Sequence, residues 1–168
     1  THVYFYVGAQ TDLYNVCAGG NLTIGSANIG MSADTLNFVS GGDLTVNGTT
    51  YIDAPVSMQA GGNVYFNGAA AIRTDGKLDI AASGEVRLDS VLNSGTVTVT
   101  ADGSIYIREF RGDGSSTFTT QGELTADSMA MSMNYGSNST RSLDMTVHGD
   151  IRFGEFIVQN SAVNVLSQ

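Results

Sequence analysis

Histidines are scarce in this chain of 168 residues: His2 and His148 are the two present. A Ser–His–Asp relay holds a histidine between a nucleophile and a carboxylate, so that chemistry is not expected here. Polysaccharide cleavage asks instead for two carboxylates facing one glycosidic bond, with an Arg, Lys or His beside them. Asp79, Asp144, Arg87 and Arg152 are the candidates for it. The acidic residues Asp43, Glu85, Glu123 and Asp150 recur at related positions. They suit at most weak surface calcium, since neither a repeat-toxin nonapeptide nor an EF-hand loop is present, and no cofactor is expected. Cys17 is the single cysteine, so it has no partner within the chain and is a candidate for an intermolecular thiol bond. Arg111-Gly112-Asp113 reads as an exposed loop tripeptide after Phe110. Glycosylation sequons stand at Asn21, Asn47 and Asn138.

What would position these groups is a repeat. "AGGNLTIG" at 18–25 returns as "SGGDLTVNG" at 40–48 and "AGGNVYFNG" at 60–68. With the second Gly as anchor, the series runs Gly20, Gly42, Gly62, Gly84, Gly103, Gly122 and Gly149, at spacings of 22, 20, 22, 19, 19 and 27. The second and fourth residues after every anchor are apolar, from Leu22 and Ile24 to Ile151 and Phe153. The sixth and fourth before it are apolar too, from Tyr14 and Val16 to Leu143 and Met145, with Ser116 the one break. The residues between are polar or outward-going. This alternation predicts two half-buried strands per repeat. Helical periodicity is nowhere sustained. A variable third side carries Ile29, Met31, Ile52, Ile72, Phe110, Met129, Met131, Met133, Phe156 and Val158.

The expected fold is all-β: a parallel β-helix, right-handed by the usual sense of parallel crossovers, with about eight coils in one domain spanning 1–168. Glycine at the corners would supply positive φ, and the "NG" pairs at 47–48 and 67–68 a second corner.

In such a stack Asp79 and Asp144 share one outward slot three coils apart, about 14 Å at ~4.8 Å per coil. Arg87 and Arg152 are separated likewise. No substrate atom would meet both members of either pair, so a carbohydrate-active enzyme ranks third among the readings and no catalytic residue is assigned. Cys17, between inward Val16 and Ala18, should face outward. The 27-residue repeat should extrude a loop around Asn134–Ser142, with Asn134, Tyr135, Asn138 and Arg141 as candidates for lateral contact.

Composition supports this. Gly is abundant at 21 residues, Pro occurs once, and the net charge is −9. An acidic surface disfavours nucleic acid and anionic membranes, and no apolar run is long enough to insert in a bilayer as a helix.

The G-G-[Asn/Asp]-apolar-x-apolar repeat at 19–24, 41–46 and 61–66, echoed to the end of the chain, resembles the coils of filamentous haemagglutinin and related large bacterial surface exoproteins. In composition alone the chain is also similar to the polymeric sheath proteins of methanogenic archaea. These resemblances imply an extracellular or cell-surface location. They imply either a structural subunit whose partners are copies of itself, or an adhesin segment making polysaccharide or cell-surface contact.

The ends extend the pattern. With Thr1 as an anchor, Val3 and Phe5 take the inward slots; with an imaginary anchor at 169, Val163 and Val165 do. These four are the candidates for axial, head-to-tail assembly, because open coil ends pair with other strands.

Overall fold

The computed structural model describes residues 2–3, 13–25, 27–29, 35–48, 50–52, 55–74, 76–93, 95–131, 141–159 and 161–168. Their regular structure is entirely strand. In chain order the strands are β1 (His2–Val3), β2 (Leu13–Ala18), β3 (Leu22–Ile24), β4 (Ala27–Ile29), β5 (Thr35–Ser40), β6 (Leu44–Asn47), β7 (Thr50–Ile52), β8 (Val56–Ala60) and β9 (Val64–Thr74). They continue as β10 (Leu78–Ala82), β11 (Val86–Asn93), β12 (Val97–Ala101), β13 (Ile105–Gly112), β14 (Ser116–Thr120), β15 (Leu124–Met131), β16 (Arg141–Val147), β17 (Ile151–Val158) and β18 (Ser161–Ser167).

Two parallel sheets result. The strands preceding the anchors stack in the order β18-β16-β14-β12-β10-β8-β5-β2. Those following them stack as β1-β3-β6-β9-β11-β13-β15-β17, with β4 and β7 alongside. The molecule is a parallel β-solenoid. Leu22, Leu44, Val64, Val86, Ile105, Leu124 and Ile151 lie opposite one another in succession, which makes six complete turns. That is fewer than the eight coils expected from the repeat, because the outermost strands belong to partial turns.

The third side differs from its expectation in a simple way. It is the continuation of the post-anchor strand around a bend. In β11 the inward residues are Val86, Leu88, Val91 and Asn93, with Asp89 and Ser90 half-buried at the bend. β13 and β15 repeat this spacing. In β9 extra residues between Phe66 and Ala71 are absorbed as a bulge opposite Leu88–Ser90, which is the usual fate of an insertion in a ladder of fixed register.

The core is one apolar column per inward slot. Leu44, Val64, Val86, Ile105 and Leu124 are fully buried, as are Val46, Phe66, Leu88, Ile107 and Ala126. Phe110 on the bent side meets Phe118 on the opposite sheet edge-on, with ring centres 5.4 Å apart at 84°. Ser116 is wholly buried and its hydroxyl finds no hydrogen-bond partner; the side-chain amide of buried Asn93 is unpartnered as well. Ser40 instead has the carbonyls of Gly20 and Asp43 within hydrogen-bond distance of its hydroxyl, at 2.9 and 2.8 Å, as acceptors for its one hydrogen.

The corner glycines serve a purpose other than positive φ. Gly48, in the first "NG" pair, has φ 78°, and it is the one positive-φ glycine among the described residues. At the anchors the reason is close stacking. The Asn21 side-chain oxygen accepts the backbone N–H of Asp43, Asp43 accepts that of Asn63, and Asn63 that of Glu85, at 3.0, 2.8 and 2.9 Å. Each of these oxygens occupies the space a Cβ would need on the next anchor: 2.2 Å from Gly42's, 2.4 Å from Gly62's and 2.1 Å from Gly84's. The G-G-Asn/Asp motif is therefore an interlock. The polar side chain of one coil seals a backbone donor of the next, and only glycine leaves it room.

Candidate functional site

Every inward side chain in the middle of the stack is covered by the coil before it and the coil after it. The last coil has cover on one side. Val163 lies opposite buried Leu143, and Val165 opposite buried Met145, in the register expected for an anchor at 169. Yet Val163 is 40% exposed and Val165 53%. Among the described residues, five of the six large exposed hydrophobic ones belong to the last two strands: Phe156, Ile157, Val163, Val165 and Leu166. Phe156 leans on Phe153, ring centres 4.7 Å apart. Among the described residues the result is an apolar end flanked by the outer edges of β17 and β18, which pair with no further described strand. Phe156, Ile157 and Leu166 were not among the sequence candidates. Leu166 occupies an outward slot, where the inward-slot rule does not look.

At the opposite end the expected register is corrected by two residues. Val3 lies opposite Ile24 and His2 opposite Thr23. Val3 thus takes the fourth slot after an anchor, not the second: the ladder separates Val3 from Ile24 by 21 residues, two more than the 19 between Thr1 and Gly20. Phe5 lies outside the described residues. β2 is the outermost strand of its sheet, and Asn15 and Cys17 on it are exposed. Cys17 faces outward opposite Val39, as parity required.

Asn134, Tyr135 and Asn138 lie outside the described residues. Arg141 and Ser142 are in strand β16, opposite Ser161 and Ala162, so the candidate loop does not reach them; extending the ladder to β18 draws them in. The Arg-Gly-Asp tripeptide is likewise not a loop. Arg111 and Gly112 close strand β13, Gly112 is buried, and Arg111 pairs with Glu109 at 3.0 Å. Phe110's ring and Met131's sulfur fill the space beside Gly112, which holds this stretch in the sheet.

The charged groups are engaged within the protein. Asp79 and Asp144 do share a column three strands apart. Asp79 pairs with Lys77 at 2.6 Å. Asp144 accepts hydrogen bonds from the Asn164 amide at 2.6 Å and the Ser142 hydroxyl at 2.8 Å, which together hold its carboxyl below the usual aspartate range. Arg152 bridges Glu123 at 2.8 Å and Asp150 at 2.5 Å. Among the described residues no three metal-ligating side chains converge. A shallow groove across the pre-anchor sheet is lined by small residues, including Ala60, Gly61, Ala81 and Ser83, with Asp102 its one charged group. A lone carboxylate does not complete an acid–base pair.

The bent sheet carries a different outward column: Tyr65, Arg87 and Tyr106 on successive coils. Arg87 lies over the Tyr106 ring, 5.2 Å from its centre. The Tyr106 hydroxyl donates to Asp127 at 2.8 Å, and that bond above all raises its pKa. Desolvation, then Glu85, raises that of Tyr65. Arg108 sits 3.5 Å from Asp89 on the same face.

No protein-family model, curated protein or solved structure matches this chain.

Proposed function

We propose that the protein is a structural subunit of an extracellular polymer, a filament, sheath or surface layer, built by stacking solenoid ends head to tail. The observation that carries this reading is the open last coil, where Val163 and Val165 hold core register yet remain exposed. Apolar area of this kind is stabilised by about 25 cal/mol per Å² when covered, and a bare parallel edge is satisfied by another strand. The surface that would cover it on a second copy is the opposite end of the stack, so the contact is heterologous and continues without closing. The acidic, Gly-rich, Lys-poor composition and the likeness of the repeats to bacterial surface exoproteins support a location outside the cell or on its surface.

Electron microscopy of the purified protein, beside Val163→Asp and Val165→Asp, tests it. Long regular assemblies are expected from the parent. The variants should remain folded monomers, because the carboxylate stays in water when the end is free and is buried only in the junction. Normal assembly by both variants would overturn the proposal.

A second reading, an adhesin segment, is favoured by the Tyr65–Arg87–Tyr106 column, whose aromatic faces and adjacent carboxylates suit a polysaccharide. Monomers that stay monomeric while binding cells or polysaccharide would select it.

A further inference from the structure

Among the described residues, four asparagine amides donate to an Asn or Asp side chain of an adjacent coil, and all four point the same way. Asn37 Nδ2 donates to Asn15 Oδ1 at 2.9 Å, and Asn67 Nδ2 to Asn47 Oδ1 at 3.1 Å. Asn63 Nδ2 donates to Asp43 Oδ1 at 3.0 Å, and Asn164 Nδ2 to Asp144 Oδ1 at 2.6 Å. In each, the later coil donates to the earlier one. Two of these belong to the same outward column, which reads Asn15, Asn37, Ser57, Asp79, Thr98, Thr117, Asp144 and Asn164. At its start Asn15 accepts, and its Nδ2 meets no partner among the described residues. At its finish Asn164 donates, and its Oδ1 meets none among them. Donor and acceptor are left over at opposite ends of one column.

We propose that these leftovers fix the register of the junction between copies: β2 of an incoming copy adds to the free edge of β18, with its Asn15 Nδ2 donating to Asn164 Oδ1. This rests on the head-to-tail reading and specifies it. Tyr14 of the incoming copy then stands opposite Val163 and its Val16 opposite Val165, continuing the slots that Leu36 and Phe38 fill above them. On the other sheet, β1 adds to β17 with His2 opposite Arg152 and Val3 opposite Phe153, as follows from its existing alignment with Thr23 and Ile24. Both sheets continue in a single register, which an arbitrary docking would not give. A register slipped by two residues would place the Asn15 amide opposite Ala162 or Leu166 and leave Asn164 unpaired.

The register also sets Cys17 of the incoming copy directly opposite Leu166, one residue past Val165. Adjacent parallel strands bring opposed Cα atoms to about 4.8 Å, within disulfide reach, whereas an offset of two residues separates them by about 8 Å, beyond it. Leu166→Cys, Asn164→Cys and Gln168→Cys are made in the full chain and oxidised mildly, with Cys17→Ser as control. The expected result is a ladder of covalent multimers, on a non-reducing gel, from Leu166→Cys. It should be lost with Cys17→Ser and absent from the other two. A ladder from Asn164→Cys or Gln168→Cys, with polymers in the microscope, overturns the register and leaves end-to-end stacking intact. Polymers that link at none of the three sites overturn the junction and point to lateral association. If all variants and the parent stay monomeric, the polymer reading falls with it.

Discussion

Asp43 does two things with one oxygen. It accepts the backbone and side-chain N–H groups of Asn63, and it fills the place of a methyl on Gly62. A Gly62→Ala substitution should therefore cost about 1–3 kcal/mol by overpacking. In an Asp43→Ala background the further loss should be smaller, because the obstructing oxygen is gone; equal losses in a denaturant double-mutant cycle would count against the interlock. Gly20 is the control, since no described residue lies within 4 Å of its would-be Cβ, and Gly20→Ala should be nearly neutral. Asp144 supplies a pH effect. Its folded pKa lies below its unfolded value because Asn164 and Ser142 hydrogen-bond the carboxylate. The stability it contributes is complete above the ordinary aspartate pKa and is lost as pH falls through the lower folded value. Protection against amide hydrogen exchange in 161–167, relative to the unfolded chain at the same pH, should thus fall as the solution is acidified below the ordinary aspartate range, and Asp144→Asn should flatten that dependence. None of this residue-scale logic is visible in a linear reading. The atoms that make Gly62 obligatory lie twenty positions earlier, and the sequence shows a conserved-looking motif without its cause, so positive φ stands in for it.

Strands were the legible scale. Period-two alternation locates the pre- and post-anchor strands and sorts inward from outward residues correctly through the middle of the chain, down to Val163, Val165 and the outward Cys17. Leu44 shows what that sorting protects. It is fully buried between Leu22 and Val64, and Leu44→Asp should destabilise by more than about 3 kcal/mol, since an unpaired carboxylate would enter an apolar column. A thermal melt close to that of the parent would be incompatible with the ladder. The bend was less legible. Leu88 and Val91 are both inward but three residues apart, so the alternation breaks at Asp89–Ser90 and the third side reads as irregular. Local letters misled at 111–113, where Arg-Gly-Asp resembles a turn; the ladder to Ala130 and Met131 outweighs that preference. The first strand misled for another reason. With apolar residues at both Val3 and Phe5, parity is right in either of two registers, and pairing with Thr23 and Ile24 chooses between them.

Over the whole molecule, contacts join each coil to its neighbours, and sequence separation stays near one repeat: 22, 20, 22, 19, 19 and 27 residues from Leu22 to Ile151. Stability in such an array is a sum over coils and the interfaces between them, so the exposed last coil should be the first to open and the first to gain from a neighbour. The candidate site was legible in part for the same reason. Val163 and Val165 follow from extrapolating the repeat, whereas Phe156 ends the inward column of Val91, Phe110 and Met129 on the bent side where the alternation breaks, and Ile157 and Leu166 take outward slots. The one-way amide ladders have a further consequence. Each aligned amide is a small dipole lying along the solenoid axis, and the four share a sense. As in a helix, where aligned peptide units leave partial positive charge at one terminus and negative at the other, the column ending at Asn15 and Asn164 leaves unused hydrogens at one pole and an unused oxygen at the other. Two molecules meeting pole to like pole face donor against donor or acceptor against acceptor. In the proposed head-to-tail polymer the hydrogen bond therefore forms in one orientation only, and the rod so built is vectorial, with two chemically different tips.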